Sequence, residues 1–144
     1  MPGVKLLIAD DDRVFREFMR MKLESPLVNV ITAQDGDETL RRIRAQAPDM
    51  LLMDVRMPGL SGFEVCRILR DDARTVNLPI LLMTVESDLS EKLEGFRCGA
   101  DEYICKPIDF NWLQRRLVVY QAGIQRDWLI AAPRRVSIPS LACV

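Results

Sequence analysis

The chain has 144 residues, 49% of them apolar, enough for one compact domain with a filled core and too few for two of ordinary size. Its 20 basic residues are matched by 21 acidic ones, so no net positive field exists to hold a polyanion. Histidine is absent, which removes imidazole-assisted serine and cysteine nucleophiles and most zinc sites, and Cys66, Cys98, Cys105 and Cys143 form no C-x-x-C pair.

Short aliphatic runs alternate with amphipathic stretches from the start of the chain. Val4 to Ala9 (VKLLIA) reads as a strand, Arg13 to Glu24 as a helix with Val14, Phe18 and Met21 at helical spacing, and Val28 to Thr32 as the second strand. A helix over Asp37 to Ala45 follows, then a strand over Met50 to Met53, a helix over Gly62 to Arg70, a strand over Ile80 to Thr84 and a helix over Ser90 to Cys98. Gly99 sits where a helix C-cap belongs, and Tyr103 to Cys105 is the fifth strand. The last helix starts near Asp109, a natural N-cap, and its apolar line runs to about Trp128 before Pro133 stops it. Strict alternation of this kind predicts an α/β fold whose parallel sheet is covered on both faces. Residues 131–144 show no periodicity and read as a linker-like tail or a partner-docking strip. A main domain over residues 1–125 with a C-terminal helix extension and tail over 126–144 is therefore expected.

No segment approaches 18 apolar residues, and the first apolar run meets three acids, so neither a membrane span nor a secretory leader is expected. A cytoplasmic protein with reduced thiols follows as the default. The clusters Arg41/Arg42/Arg44, Arg115/Arg116 and Arg134/Arg135 are short and interleaved with apolar residues, which makes them solvated helix faces rather than a nucleic-acid surface. The methionines fall mostly on apolar positions and read as core filler.

In a doubly wound sheet the ligand crevice lies beyond the carboxyl ends of the strands, where strand order reverses. Asp10, Asp11 and Asp12 end the first strand, Asp54 the third and Thr84 the fourth, while Lys106 and Pro107 follow the fifth. Clustered like charges repel and raise one another's pKa unless a cation intervenes. Mg²⁺ suits such oxygen donors, and its charge with that of Lys106 balances Asp10, Asp11 and Asp54. A carboxylate nucleophile beside such cations is the equipment of phosphoryl transfer. Asp12, directly before Arg13, reads better as the cap of the first helix than as a third ligand. Pro58, Gly59 and Gly62 read as loop-formers around Asp54.

The motifs IADDD at 8–12, MDVRMPGLSG at 53–62, LLMTV at 81–85 and GADEYICKP at 99–107 resemble, in order and spacing, those of bacterial two-component response-regulator receiver domains, over about residues 4 to 122. The resemblance implies a flavodoxin-like (βα)5 sandwich with strand order 2-1-3-4-5. It implies Asp54 as phosphoacceptor, with Mg²⁺ held by Asp11 directly, Asp10 mainly through water, Asp54 and the backbone carbonyl of Arg56. Lys106 would pair with a phosphoryl oxygen ahead of a cis bond to Pro107, Thr84 would hydrogen-bond another, and the ring of Tyr103 would turn inward as Thr84 moves. A phosphoryl group adds about two negative charges and three acceptor oxygens, and Thr84 and Lys106 are the donors within call of it.

Val85 is branched where much of the family has a small residue, and Arg56 and Glu86 flank the same opening, where an ion pair between them would slow attack by water. The expected partner is a sensor histidine kinase or a histidine phosphotransfer protein. Dimerisation through the face of the fourth helix, fifth strand and fifth helix is a further expectation, with Lys92, Asp101, Glu102, Arg115 and Arg116 available for cross-interface pairs. The domain would catalyse only its own phosphorylation and dephosphorylation. Three rivals stand beside this reading: a receiver fragment serving an output domain outside this sequence, an Asp-nucleophile phosphatase, and a scaffold that is never phosphorylated. The phosphatase reading suffers because Arg56 stands where a second acid would be needed.

Overall fold

A computed structural model of the chain describes residues 3–85, 89–130 and 140–141. In chain order it contains β1 (Val4–Ala9), α1 (Arg13–Leu23), β2 (Val28–Ala33), α2 (Gly36–Gln46), β3 (Met50–Asp54), α3 (Gly62–Arg70), β4 (Ile80–Thr84), α4 (Leu89–Cys98), β5 (Glu102–Cys105), α5 (Phe110–Ile130) and β6 (Ser140–Leu141). The sheet is parallel in the order β2-β1-β3-β4-β5-β6. The expected 2-1-3-4-5 arrangement is present. It is extended by β6, whose Ser140 and Leu141 align with Glu102 and Tyr103. Two residues are too few to leave an alternation in the sequence, but they give β5 a neighbour on what would otherwise be an open edge.

Strand geometry sends successive side chains to opposite faces and so builds two cores. Leu7, Ala9, Leu51, Met53, Ile80 and Leu82 pack toward α2, α3 and α4, against residues such as Leu40, Ile43, Val65 and Leu69. Leu6, Ile8, Met50, Leu52, Leu81 and Met83 pack toward α1 and α5, against Met19, Leu23 and Leu113. Burying each such side chain is worth roughly 1.5–3 kcal/mol.

The helix ends are set by side chains the sequence supplies. Asp12 caps α1 by accepting from the N–H groups of Val14 and Phe15, and Asp35 caps α2. Ser61 and Glu64 form a reciprocal capping box on α3. Asp109 accepts from the N–H of Trp112 at 3.1 Å at the start of α5, and Gly99 takes φ +89° after α4. Helix α5 continues past residue 125 to Ile130; the rest of the tail, apart from β6, lies outside the described residues.

Two expectations change. The line Val14, Phe18, Met21 is 78%, 45% and 81% exposed, because α1 turns Met19 and Leu23 inward with Phe15 beside them. Both lines have helical spacing, and periodicity alone does not choose between them. Met21 is thus not core filler, whereas Met19, Met50, Met53 and Met83 are fully buried. Cys66 and Cys98 are free, but Cys105 is disulfide-bonded, against the expectation of reduced thiols; it ends the strand beside which β6 lies. No helix among the described residues is long and apolar enough to cross a membrane.

Candidate functional site

Strands β1 and β3 are neighbours, with Ile8 aligned to Leu52 and Ala9 to Met53, so the residues that follow them emerge side by side. Asp10, Asp11 and Asp54 each place a carboxylate oxygen within 4.8 Å of the other two. Asp10 is buried, Asp54 is nearly so and Asp11 is exposed. Asp10 is fixed on both sides: its carboxylate accepts from the N–H of Asp12 at 2.9 Å and its carbonyl from the guanidinium of Arg16 at 2.7 Å. The N–H of Arg56 points at Asp54 from 3.4 Å.

Lys106 reaches this cluster from beyond β5. Its ammonium donates to Asp10 Oδ2 at 2.6 Å, stands 3.5 Å from Asp54 Oδ2 and lies 4.1 Å over the ring of Phe15. The peptide bond from Lys106 to Pro107 is cis, as expected. Phe15 was not singled out from the sequence; an aromatic on the inward line of α1, one turn after the acid run, is the signal that would have found it. Burial, reinforced by the charge of Asp10, pushes the Asp54 carboxyl up to about 6, while Lys106 and the Arg56 N–H pull it down. Three oxygen donors within a metal's reach and a carboxylate held above its ordinary range are what a hard divalent cation would satisfy.

Thr84 ends β4, buried, with its carbonyl accepting from the N–H of Lys106 at 2.7 Å. Tyr103 lies wholly inside, its ring stacked near Phe63 at 6.4 Å between centroids. Gly95 of α4 lies against it, since a Cβ there would come within 3.1 Å of the ring. Val85 is largely exposed, and Glu86 lies outside the described residues, so the expected pair with Arg56 does too. An open depression of about 520 Å³ beside Asp11 is lined by Arg56, Met57, Pro58, Ser61 and Phe63.

Gly62 does more than shape a loop. A Cβ there would stand 2.5 Å from the carbonyl oxygen of Asp54, so the start of α3 presses directly on the backbone that carries the acid. The charges expected at an interface are partly engaged within the chain. Asp101 is buried against Arg70 at 2.9 Å and accepts from the N–H of Ile80, and Glu102 is buried against Arg116 at 3.4 Å and Tyr120 at 3.2 Å. Arg115 is exposed, and the side chain of Lys92 is outside the described residues.

The family model described as the response regulator receiver domain matches residues 6–118. Response regulator MprA of Mycolicibacterium vanbaalenii is 42% identical over 114 residues, 79% of this chain and 48% of the relative. The transcriptional regulatory protein AfsQ1 of Streptomyces coelicolor is 40% identical over 117 residues, 81% of this chain and 50% of the relative, so the chain spans about half the length of such relatives. Among solved structures, the chemotaxis response regulator CheY4 of Vibrio cholerae matches with TM-score 0.75 and 30% identity over 82% of this chain and 98% of that one. The signal receiver domain of a signal transduction histidine kinase from Syntrophus aciditrophicus matches with TM-score 0.81 and 27% identity, over 86% and 94%. Sheet order, the acid cluster with its lysine, and these matches agree: the chain belongs to the response regulator receiver domain family of two-component signalling.

Proposed function

We propose that this domain is a phosphorylation-activated switch that takes a phosphoryl group onto Asp54 from a sensor histidine kinase or histidine phosphotransfer protein in the cytoplasm. The observation that carries this reading is the meeting of Asp10, Asp11, Asp54 and Lys106 at one rim of the sheet. Asp10, Asp11 and Asp54, with the carbonyl of Arg56, would hold Mg²⁺. When bound, the ion supplies positive charge to the oxygens of the transferred group.

An oxygen of Asp54 attacks phosphorus; the P–N bond of the donor phosphohistidine breaks, and its electron pair leaves on the imidazole nitrogen. Lys106 then offers its ammonium and Thr84 its hydroxyl to phosphoryl oxygens. The inward ring of Tyr103 ties that local change to α4 through Gly95. Beyond its own phosphorylation and hydrolysis the domain would carry out no chemistry.

Intact mass of the chain incubated with Mg²⁺ and acetyl phosphate tests the proposal. A mass gain that disappears in Asp54→Asn is the expected result. Release of free phosphate in many turnovers would favour an Asp-nucleophile phosphatase, and no modification at all a scaffold.

The twofold greater length of relatives such as a transcriptional regulatory protein supports a second layer to this reading: the receiver governs an output domain in a longer chain. Exposed Leu93, Val118 and Val119 on α4 and α5 support self-association through the α4-β5-α5 face, with Arg115 at hand for a charge pair.

A further inference from the structure

The seam between α3 and α4 holds two thiols that the acid site does not use. Cys66 and Cys98 are 32 residues apart in sequence, both are buried and both are free. The Cys66 thiol donates to the Cys98 carbonyl at 3.1 Å, and the Cys98 thiol donates to the carbonyl of Gly95 at 3.4 Å. Polar contacts close the seam on either side of the pair: Arg67 ion-pairs with Glu94, and Arg70 donates to the Gly99 carbonyl at 2.8 Å.

Cys98 also forms part of the wall of an open depression of about 460 Å³ lined by Arg67, Ile68, Arg70, Asp71 and Arg97. Guanidinium charge near a thiol favours the thiolate, the reactive form. The hydrogen bond from Cys66, with the N–H of Ala100 and the charges of Arg67 and Arg70, holds the Cys98 thiol below its ordinary range against the opposing effect of burial.

We propose that Cys66 and Cys98 are a peroxide-responsive dithiol whose oxidation staples α3 to α4. The Cys98 thiolate attacks one oxygen of hydrogen peroxide and the O–O bond breaks, leaving Cys98 as a sulfenic acid and hydroxide that takes up a proton to become water. Cys66 gives up its proton and attacks the sulfenic sulfur; the S–O bond breaks, and the oxygen leaves as a second water. Two thiols are oxidised to one disulfide, and one peroxide is reduced to two waters. The depression is the route by which peroxide meets Cys98.

The staple acts on the switch through Gly95, which lies one turn before Cys98 and packs against the ring of Tyr103. Fixing the end of α4 to α3 restrains the helix that must yield when Tyr103 and Thr84 rearrange. That consequence, unlike the disulfide itself, rests on the phosphoryl-switch reading.

The test uses the full chain, reduced and then exposed to hydrogen peroxide, alkylated, digested and mapped. A linked peptide containing Cys66 and Cys98 is expected, together with a sulfenic acid on Cys98 trapped by dimedone in Cys66→Ala. If both thiols remain alkylatable in the wild type, or Cys98 resists dimedone in Cys66→Ala, the proposal is overturned. Hydrogen exchange of α4 before and after acetyl phosphate then reads the consequence: the reduced chain should respond, the stapled chain several-fold less, and peroxide-treated Cys98→Ala as fully as the reduced chain. A mapped disulfide in a chain whose reduced form never takes up phosphoryl would leave the dithiol standing and remove the switch. Equal responses of the stapled and reduced chains would remove the coupling between them.

Discussion

Lys106 is bound more closely to Asp10 than to the proposed phosphoacceptor Asp54, at 2.6 Å against 3.5 Å. Asp10 is almost wholly buried, and the ammonium of Lys106 offsets the charge of its carboxylate. A divalent ion at the acid cluster would take over that task and leave Lys106 available to a phosphoryl oxygen.

Lys106→Ala should therefore destabilise the metal-free protein by about 3–5 kcal/mol, the usual cost of leaving one partner of a buried pair uncompensated. Mg²⁺ should restore much more stability to the variant than it adds to the wild type. Urea unfolding with and without saturating Mg²⁺ measures both, and an equal increment in the two proteins would contradict the arrangement.

Phe15 provides the other half of the lysine's seat, with the ammonium 4.1 Å from the ring centroid. A cation over an aromatic face gains roughly 0.5–2 kcal/mol, depending on exposure. Phe15→Leu keeps the apolar volume of α1 and removes the ring, so phosphorylation by acetyl phosphate should slow about two- to thirty-fold on that energy scale while the fold persists. Unchanged rates in a folded Phe15→Leu protein would show that the ring merely lies nearby.

The difference between Phe15 and Asp54 shows what this sequence discloses. Strand ends are marked by composition, because aliphatic runs stop abruptly at acids or a hydroxyl, and so Asp10, Asp11, Asp54 and Thr84 could be placed at one rim before any coordinates. Which of two helical lines turns inward is decided by the partner surface, so the helical spacing of Val14, Phe18 and Met21 does not disclose that α1 turns Phe15, Met19 and Leu23 inward instead. Contacts that depend on such a choice, Phe15 over Lys106 above all, are hidden with it. The capture of Asp101 by Arg70 and of Glu102 by Arg116 is likewise invisible to charge patterning, since residues more than ten positions apart meet only after folding. Ser140 and Leu141 illustrate a third limit: their place is set by the vacant edge of β5 and by no pattern of their own.

The raised Asp54 carboxyl gives a pH dependence of definite sign. Its ordinary value is 3.8 and burial, then Asp10, pushes it up to about 6. The folded state therefore binds this proton more tightly than the unfolded state does. The stability tied to it is fully present below 3.8 and is lost as pH rises through about 6. Asp54→Asn removes the dependence. In EDTA, the stability of wild type minus that of Asp54→Asn should fall steadily between about pH 4 and about pH 7 and then level off. Urea denaturation across that range checks it, and a difference that rises with pH would mean that the carboxyl is not held above its ordinary range.

Gly62 ties the fold of α3 to the chemistry of Asp54. Its N–H donates to the carbonyl of Val55 at 2.8 Å, and a Cβ on it would come within 2.5 Å of the Asp54 carbonyl oxygen and 2.9 Å of the Val55 Cα. Both are backbone atoms, which cannot swing aside as a side chain would. Helix propensity on its own favours alanine here by about 1 kcal/mol, so a purely local view makes Gly62→Ala stabilising. Overpacking against backbone typically costs about 1–3 kcal/mol and should prevail. Because the displaced atoms carry the acceptor acid, phosphorylation of the folded fraction should also slow, at a temperature where unfolding of the variant is negligible. A Gly62→Ala chain as stable and as quickly phosphorylated as the wild type would mean that α3 and the β3 end can separate without consequence, and that the close approach does not hold Asp54 in place.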